Sequence, residues 1–127
     1  MEADVYPLND PGKADLIDGS IGELSPFHST FGYYAHGVGP DTAILPKNWR
    51  ARAVKLETPG TGGCVGWCLS PTDLAVGKLL AGRDKDFAFV GTMIRCGLVE
   101  VSEVGLLAGE LSTEDAELLR GRLSRCR

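Results

Sequence analysis

Hydrophobic and polar positions from Ser70 to Val90 alternate in a way that predicts two helices joined by a charged corner. Ser70 or Thr72 is suited to cap the first helix, because either hydroxyl can accept a hydrogen bond from a free backbone N–H. Gly82 is suited to end that helix, and the charged run Arg83 to Asp86 follows with two aspartates that fit the start of the second. The apolar residues at helical spacing in the first helix are Leu74, Ala75, Leu79 and Leu80.

The chain after this corner also predicts helices. An apolar stripe extends the second helix to about Cys96, and the segment Val101 to Leu107 fits a short helix. Ser112 is suited to cap a last helix that extends to about Arg125. The basic residues of its end, which complement the helix dipole, are Arg120, Arg122, Arg125 and Arg127.

The N-terminal half instead shows the short alternating pattern of strands. The segment Glu2 to Tyr6 predicts a half-buried strand, and Thr42 to Leu45 predicts another short one. Ala51 to Glu57 and Cys64 to Leu69 predict the two strands of a β-hairpin, with small buried residues in the second strand. The charged residues expected to be largely exposed here are Arg50, Arg52, Lys55 and Glu57.

These elements predict the α+β class. The expected architecture is a small mixed or antiparallel sheet of about three to four strands with a C-terminal bundle of about four helices. A chain of 127 residues is long enough for one core and short for two ordinary domains. We therefore expect a single domain over residues 1–127, sheet-rich over 1–69 and helical over 70–127.

Composition and charge narrow the classes of function. A formal net charge of −4 argues against electrostatic binding of nucleic acid over a broad surface, although it allows a local basic pocket. No apolar run approaches the roughly 20 residues of a membrane span, and the N-terminus is acidic where a signal peptide is basic. A cytoplasmic protein with no membrane partner is expected, and its four cysteines are expected to be free thiols.

The charged corner has two interpretations. Alternating charges often occur in an exposed turn between helices, so Arg83 to Asp86 fits a solvated corner. The same residues also fit a polyphosphate site, in which Lys78 and Arg83 meet the phosphates and Asp86 holds one of these cations in place.

Two acidic residues form a second candidate site. Glu2 and Asp4 share one face of the first predicted strand, where same-face side chains lie about 7 Å apart and can share a divalent metal. The alternative is an exposed acidic N-terminus. His36, between glycine-rich segments, could act as a base or contact a substrate, but without an identified nucleophile we favour a structural or surface role.

Taken together, these segments resemble the nucleotidyltransferase-like proteins related to abortive-infection and toxin–antitoxin nucleotidyltransferases, within the DNA polymerase β superfamily. The most specific segment is Asp73-Leu74-x3-Lys78-x2-Ala81-Gly82-Arg83-x-Lys85-Asp86. The supporting segments are Glu2-Ala3-Asp4-Val5-Tyr6-Pro7, Lys13-Ala14-Asp15-Leu16-Ile17-Asp18 and Gly37-Val38-Gly39-Pro40.

The resemblance implies a role for each motif residue. Glu2 and Asp4 correspond to the acid-x-acid motif that binds Mg²⁺, and Glu57 is a weak candidate for a third carboxylate. The second motif implies nucleotide binding by Lys78, Arg83 and Lys85, and catalytic roles for Lys78 and Asp86. The implied substrate is a nucleoside triphosphate, the acceptor is RNA or a protein, and the implied partner is an antitoxin or a second copy.

One departure from the family pattern leaves three functions open. The family has a Gly-Ser or Gly-Gly turn before the acid-x-acid strand, so a chain that starts at Met1 is expected to be an N-terminally truncated relative. It is then either an active nucleotidyltransferase, for which the role of a toxin component is one alternative, or a noncatalytic module of the same fold that interacts or dimerises through an open sheet edge. A purely structural α+β domain is the third alternative.

Overall fold

The computed structural model describes residues 1–126 and confirms the α+β class. The chain divides into two compact units, the first over Met1–Thr42 and the second from Ala43 onward. None of the helices in the described residues is both long and apolar enough to cross a membrane. The single domain over 1–127 stays a prediction.

The first unit is a two-stranded parallel sheet with two helices. Strands β1 and β2 pair so that Glu2 lies opposite Tyr34 and Asp4 lies opposite His36. The first helix packs against β2. The bounds of these elements are β1 Glu2–Val5, α1 Ala14–Ile21, α2 Pro26–Phe31 and β2 Tyr34–Gly37.

The contact between α1 and β2 requires a residue without a side chain at position 37. A Cβ atom on Gly37 would lie 2.0 Å from the backbone oxygen of Ala14. The Gly37 N–H also donates to Asp18 Oδ1 at 2.8 Å, which ties the strand to the helix. Close approach of two backbones therefore explains the glycine.

Two strand predictions for the first 45 residues are wrong. Thr42 to Leu45 does not form a strand, since a 3₁₀ turn occupies Pro40–Thr42 and Pro46 follows; the strand lies at Tyr34–Gly37, where β1 supplies a hydrogen-bonding partner. The first strand is also not half-buried, because all four of its residues are exposed. It pairs on one side only, and no layer of the described residues covers it enough to bury a face.

The second unit joins a β-hairpin to a bundle of four helices, as predicted. Strands β3 and β4 are antiparallel, with Val54 opposite Cys68 and Leu56 opposite Gly66. The core of the bundle is apolar, and its fully buried residues include Val76, Leu79, Val90, Val104 and Leu119. The bounds are α3 Trp49–Arg52, β3 Val54–Leu56, β4 Gly66–Cys68, α4 Pro71–Ala81, α5 Asp84–Arg95, α6 Val101–Leu107 and α7 Thr113–Leu123.

The ends of α4 follow the sequence signals. The Ser70 hydroxyl accepts a hydrogen bond from the Asp73 N–H at 3.1 Å, which confirms Ser70 as the cap. Gly82 ends the helix with φ of 70°, in the left-handed region that favours glycine. Asp86 then accepts from the Arg83 N–H at 3.1 Å and so caps the start of α5.

Several finer predictions for the second unit are wrong. Residues up to Arg52 form a helical turn rather than strand, and the Arg52 side chain is only 30% exposed because it is bound by carboxylates. Cys64 and Cys68 are exposed rather than buried, since only three residues of each hairpin strand pair and nothing in the described residues covers that edge. All four cysteines are free, as predicted.

The four strands divide between two separate two-stranded sheets, so no single sheet of three or four strands forms within residues 1–126. The last helix ends at Leu123, and Ser124–Cys126 continue as a 3₁₀ turn. Arg127 lies outside the described residues.

Substituting Gly37→Ala tests the backbone contact between α1 and β2. We expect a loss of roughly 1–3 kcal/mol in the free energy of unfolding, because the new methyl group must push α1 away from β2. Urea unfolding followed by circular dichroism measures it. The matched control is Gly39→Ala, which meets no atom within 4 Å. Equal midpoints for the two variants would contradict the contact.

Candidate functional site

The segment from Lys78 to Asp86, called here the α4–α5 corner, carries the predicted nucleotide-binding residues. Lys78 lies in the last turn of α4, Gly82 reverses the chain, and Arg83 is the capping residue of α5. Lys85 follows in the first turn of α5 and is exposed. The corner thus presents three cations against the two carboxylates of Asp84 and Asp86.

Asp86 is the centre of the corner, and its side chain is only 2% exposed. Its Oδ2 atom accepts from Arg83 Nε at 2.7 Å, and its Oδ1 atom accepts from Arg83 Nη2 at 3.1 Å. Lys78 Nζ lies 3.8 Å from Oδ1. The hydrogen bonds from Arg83 lower the pKa of Asp86 in spite of its burial, and the Lys78 charge adds to this. One ionised carboxylate therefore orients two cations.

Both cations remain accessible while they are held. The Arg83 side chain is 56% exposed and the Lys78 side chain is 29% exposed. The Lys78 ammonium also lies 5.4 Å from the ring centroid of Phe89, close enough for a cation–π contact. This arrangement can receive an anion, because both cations are held in place and their side chains are partly exposed.

Arg122 of α7 fixes the end of α4 that leads into the corner. Its Nη1 atom donates to the carbonyl oxygens of Leu79 at 2.8 Å and Leu80 at 2.7 Å. Its guanidinium packs on Gly82, where a Cβ atom would lie 2.3 Å from Nη1. The sequence predicted only that Arg122 complements its own helix dipole. Nothing in the local pattern reveals partners 43 and 42 residues away.

Arg52 fixes the other end of α4. It binds Asp73 through Nε at 2.9 Å and Nη2 at 2.8 Å, and it binds Glu110 through Nη1 at 2.9 Å and Nη2 at 3.0 Å. The hydrogen bonds that Arg52 donates to both carboxylates raise its pKa. Asp73 is completely buried, so this residue of the resemblance motif anchors the helix. Sequence reasoning missed Arg52, whose two partners are distant in the chain.

The predicted metal ligands Glu2 and Asp4 lie in the first unit, two residues apart on exposed strand β1. Burial and the negative charges of Glu2, Glu23 and Asp4 raise the pKa of Tyr34, opposite Glu2, so this end of the sheet is acidic. Among residues 1–126, no group of three or more His, Cys, Asp and Glu side chains could hold a metal ion. A metal ion at this place would therefore have at most two side-chain ligands of these four types within the described residues.

Two further residues considered from the sequence have local partners. His36 Nδ1 lies 3.1 Å from Asp18 Oδ1 at an exposed position of the first unit. Glu57 Oε2 lies 2.6 Å from Lys55 Nζ on the hairpin of the second unit. Glu57 as a third metal ligand stays a prediction.

The second unit also contains an open cavity of about 670 Å³. It lies at the C-terminal end of α5, against α6 and α7, and its lining includes Ile94, Val99, Arg120 and Leu123. None of the predicted site residues contributes to it. The α4–α5 corner is thus a surface site at the opposite end of α5.

Comparison with known proteins supports the resemblance to nucleotidyltransferases. A family described as "Nucleotidyltransferase of unknown function (DUF6036)" matches residues 20–119. The matched span contains the whole α4–α5 corner and begins after Glu2 and Asp4. No curated protein and no solved structure matches the chain.

The contact of Glu110 with Arg52 makes stability depend on pH. Hydrogen bonds from Arg52 lower the pKa of Glu110 from 4.5 to about 2. The contribution of this ion pair to the free energy of unfolding is therefore present above pH 4.5 and is lost as the pH falls toward 2. We expect Glu110→Gln to lower the urea midpoint at pH 7 and to differ little from the unsubstituted protein at pH 2.

The control for this series is Glu117→Gln, since Glu117 is exposed and makes no ion pair within the described residues. It should leave the midpoint nearly unchanged at every pH. Parallel pH curves for Glu110→Gln and the unsubstituted protein would refute the contribution of this ion pair.

The role of Arg122 is tested by Arg122→Gln. We expect a loss of about 1.5–3 kcal/mol in unfolding free energy, because two carbonyl groups lose a charged donor. Hydrogen exchange should also speed up at the Gly82 amide, which bonds the Lys78 carbonyl in the last turn of α4. Arg120→Gln, at an exposed position of α7, is the control. Unchanged exchange at Gly82 would count against the assignment.

Proposed function

The chain belongs to this family of nucleotidyltransferases of unknown function, and from that premise we propose that its α4–α5 corner binds the phosphates of a nucleoside triphosphate. The observation that carries the proposal is the shared carboxylate of Asp86, which holds Lys78 and Arg83 side by side at a partly exposed surface. The same carboxylate caps the start of α5, so its burial serves the helix start as well as the placement of the two cations.

Electrostatics favour polyphosphate over other ligands. Arg83 presents a planar guanidinium and Lys78 a compact ammonium, two groups that proteins commonly use for phosphate oxygens. Because Asp86 restrains the side chains of both, a ligand does not have to order two long flexible chains when it binds. Lys85 adds a third, exposed cation at the edge of the corner.

Asp86 then acts as a positioning residue. Its low pKa keeps it ionised near neutral pH, and its oxygens already accept three hydrogen bonds from Arg83. We assign Lys78 and Arg83 to direct phosphate contact, and Asp86 to holding them at the right separation. The resemblance implies a catalytic role for Asp86, and the proposal limits that role to positioning the two cations.

The proposed reaction is transfer of a nucleotidyl group to a hydroxyl of RNA or a protein. The acceptor oxygen bonds to the α-phosphorus, the bond from that phosphorus to the bridging oxygen breaks, and diphosphate leaves. The hydroxyl proton passes to solvent. Lys78 and Arg83 would stabilise the negative charge that builds up on the departing diphosphate.

The proposal includes Mg²⁺ held by Glu2 and Asp4. Two exposed carboxylates on one strand suit this ion, because protein-bound Mg²⁺ commonly takes one or two carboxylates and completes its shell with water and substrate phosphate. When bound, Mg²⁺ would supply positive charge to a phosphate oxygen in its own shell. A toxin role with an antitoxin partner belongs to the same proposal and rests on the resemblance alone.

The second candidate function is a noncatalytic module that interacts or dimerises through a sheet edge. Both sheets of the described residues have only two strands, and the hairpin exposes Val54, Leu56 and Trp67. Unpaired edges with apolar side chains are surfaces on which a second strand can add. A strictly monomeric protein in light scattering, with no partner in a pull-down, would count against this function.

Isothermal titration of the protein with ATP and Mg²⁺ tests the first proposal. We expect Lys78→Met and Arg83→Gln each to raise the Kd by about tenfold, because each removes one charged phosphate contact. Lys55→Met removes an exposed cation from the hairpin of the same unit and should leave the Kd unchanged. Melting temperatures check that all variants are folded.

Two results would overturn the phosphate site. One is an absence of binding by the unsubstituted protein at millimolar ATP. The other is an equal loss of affinity in the Lys55→Met control, since binding would then reflect overall charge rather than the corner.

A further inference from the structure

Phe89 is an exposed aromatic residue of α5. It is 47% exposed, whereas Val90 and Met93 of the same helix are buried in the core of the bundle. An exposed apolar residue by itself is ordinary on a protein surface. The surroundings of Phe89 are what distinguish it.

The ring of Phe89 lies among the charges of the α4–α5 corner. Residues three and four apart on a helix are neighbours, which places Phe89 beside Asp86 and Lys85 on one face of α5. From α4, the Lys78 ammonium lies 5.4 Å from the ring centroid. An accessible aromatic surface therefore borders the two cations assigned to phosphate.

We propose that Phe89 stacks on the base of the nucleotide whose phosphates Lys78 and Arg83 bind. This inference rests on the proposed function of the corner and adds the contact that distinguishes a nucleotide from bare polyphosphate. Aromatic side chains stack on nucleobases because both have a π face, and basic residues beside an aromatic ring are a recurring combination in nucleotide recognition.

The chemistry of the ring predicts what it can discriminate. A phenyl group has no hydrogen-bond donor or acceptor, so it cannot read the edge of a base. Stacking on it is tolerant of base identity. The corner should therefore prefer nucleotides over inorganic polyphosphate, with little selectivity among ATP, GTP, CTP and UTP.

A competing explanation is that the ring only covers the Lys78 ammonium. The cation–π distance is consistent with that role. The two explanations differ in which ligand is affected when the ring is removed. Loss of a base contact affects nucleotides alone, whereas a disturbed Lys78 affects every phosphate ligand.

The test compares the Kd of ATP with the Kd of inorganic tripolyphosphate for Phe89→Leu, Phe89→Trp and the unsubstituted protein. We expect Phe89→Leu to raise the Kd of ATP about tenfold and to change the Kd of tripolyphosphate by less than about twofold. Only the nucleotide has a base to stack on the ring. Phe89→Trp should keep ATP affinity. Phe31→Leu, which alters another exposed phenylalanine, in the first unit, is the matched control and should change neither Kd.

Each other outcome has a definite meaning. Equal losses for ATP and tripolyphosphate in Phe89→Leu, or unchanged ATP affinity, would overturn the stacking role while leaving the phosphate site intact. If the unsubstituted protein binds tripolyphosphate as tightly as ATP, the inference also fails. If it binds neither, the proposed function itself fails. Melting temperatures show whether each variant is folded.

Discussion

The second unit depends on two buried carboxylates, one at each end of α4. Asp73 and Asp86 are almost completely inaccessible, and a buried charge is costly unless it is paired and hydrogen-bonded. Arg52 satisfies the first and Arg83 the second, each with paired hydrogen bonds. In residues 1–126, every buried side-chain nitrogen and oxygen has a partner, so α4 and the corner that follows it are held in one arrangement.

The anchoring of both ends of α4 also sets the position of Lys78, a residue of the proposed phosphate site. The residue lies in the last turn of α4, so its position depends on the start of the helix at Asp73 and on the end that Arg122 holds. Asp73 and Asp86 are bound to arginines, whereas Lys78 and Lys85 retain surface toward solvent. The family match to nucleotidyltransferases of unknown function covers the whole of this arrangement.

The sequence predicted local features better than pairings between distant segments. Ser70, Gly82 and Ser112 act within a few residues of themselves, so the ends of α4 and the start of α7 were predictable. Strand β2 was missed because its parallel partner lies some 30 residues earlier. Arg52 and Arg122 were missed for the same reason. The candidate site was found because Lys78, Arg83 and Asp86 lie close together in the chain.

A titration of isotopically labelled protein with inorganic tripolyphosphate, followed by backbone amide chemical shifts, would measure where an anion binds. If the α4–α5 corner is the phosphate site, the largest shifts fall on Gly82 to Asp86 and saturate with ligand. Largest shifts around the cavity lined by Val99 and Arg120, or no saturable shift at the corner, would contradict it.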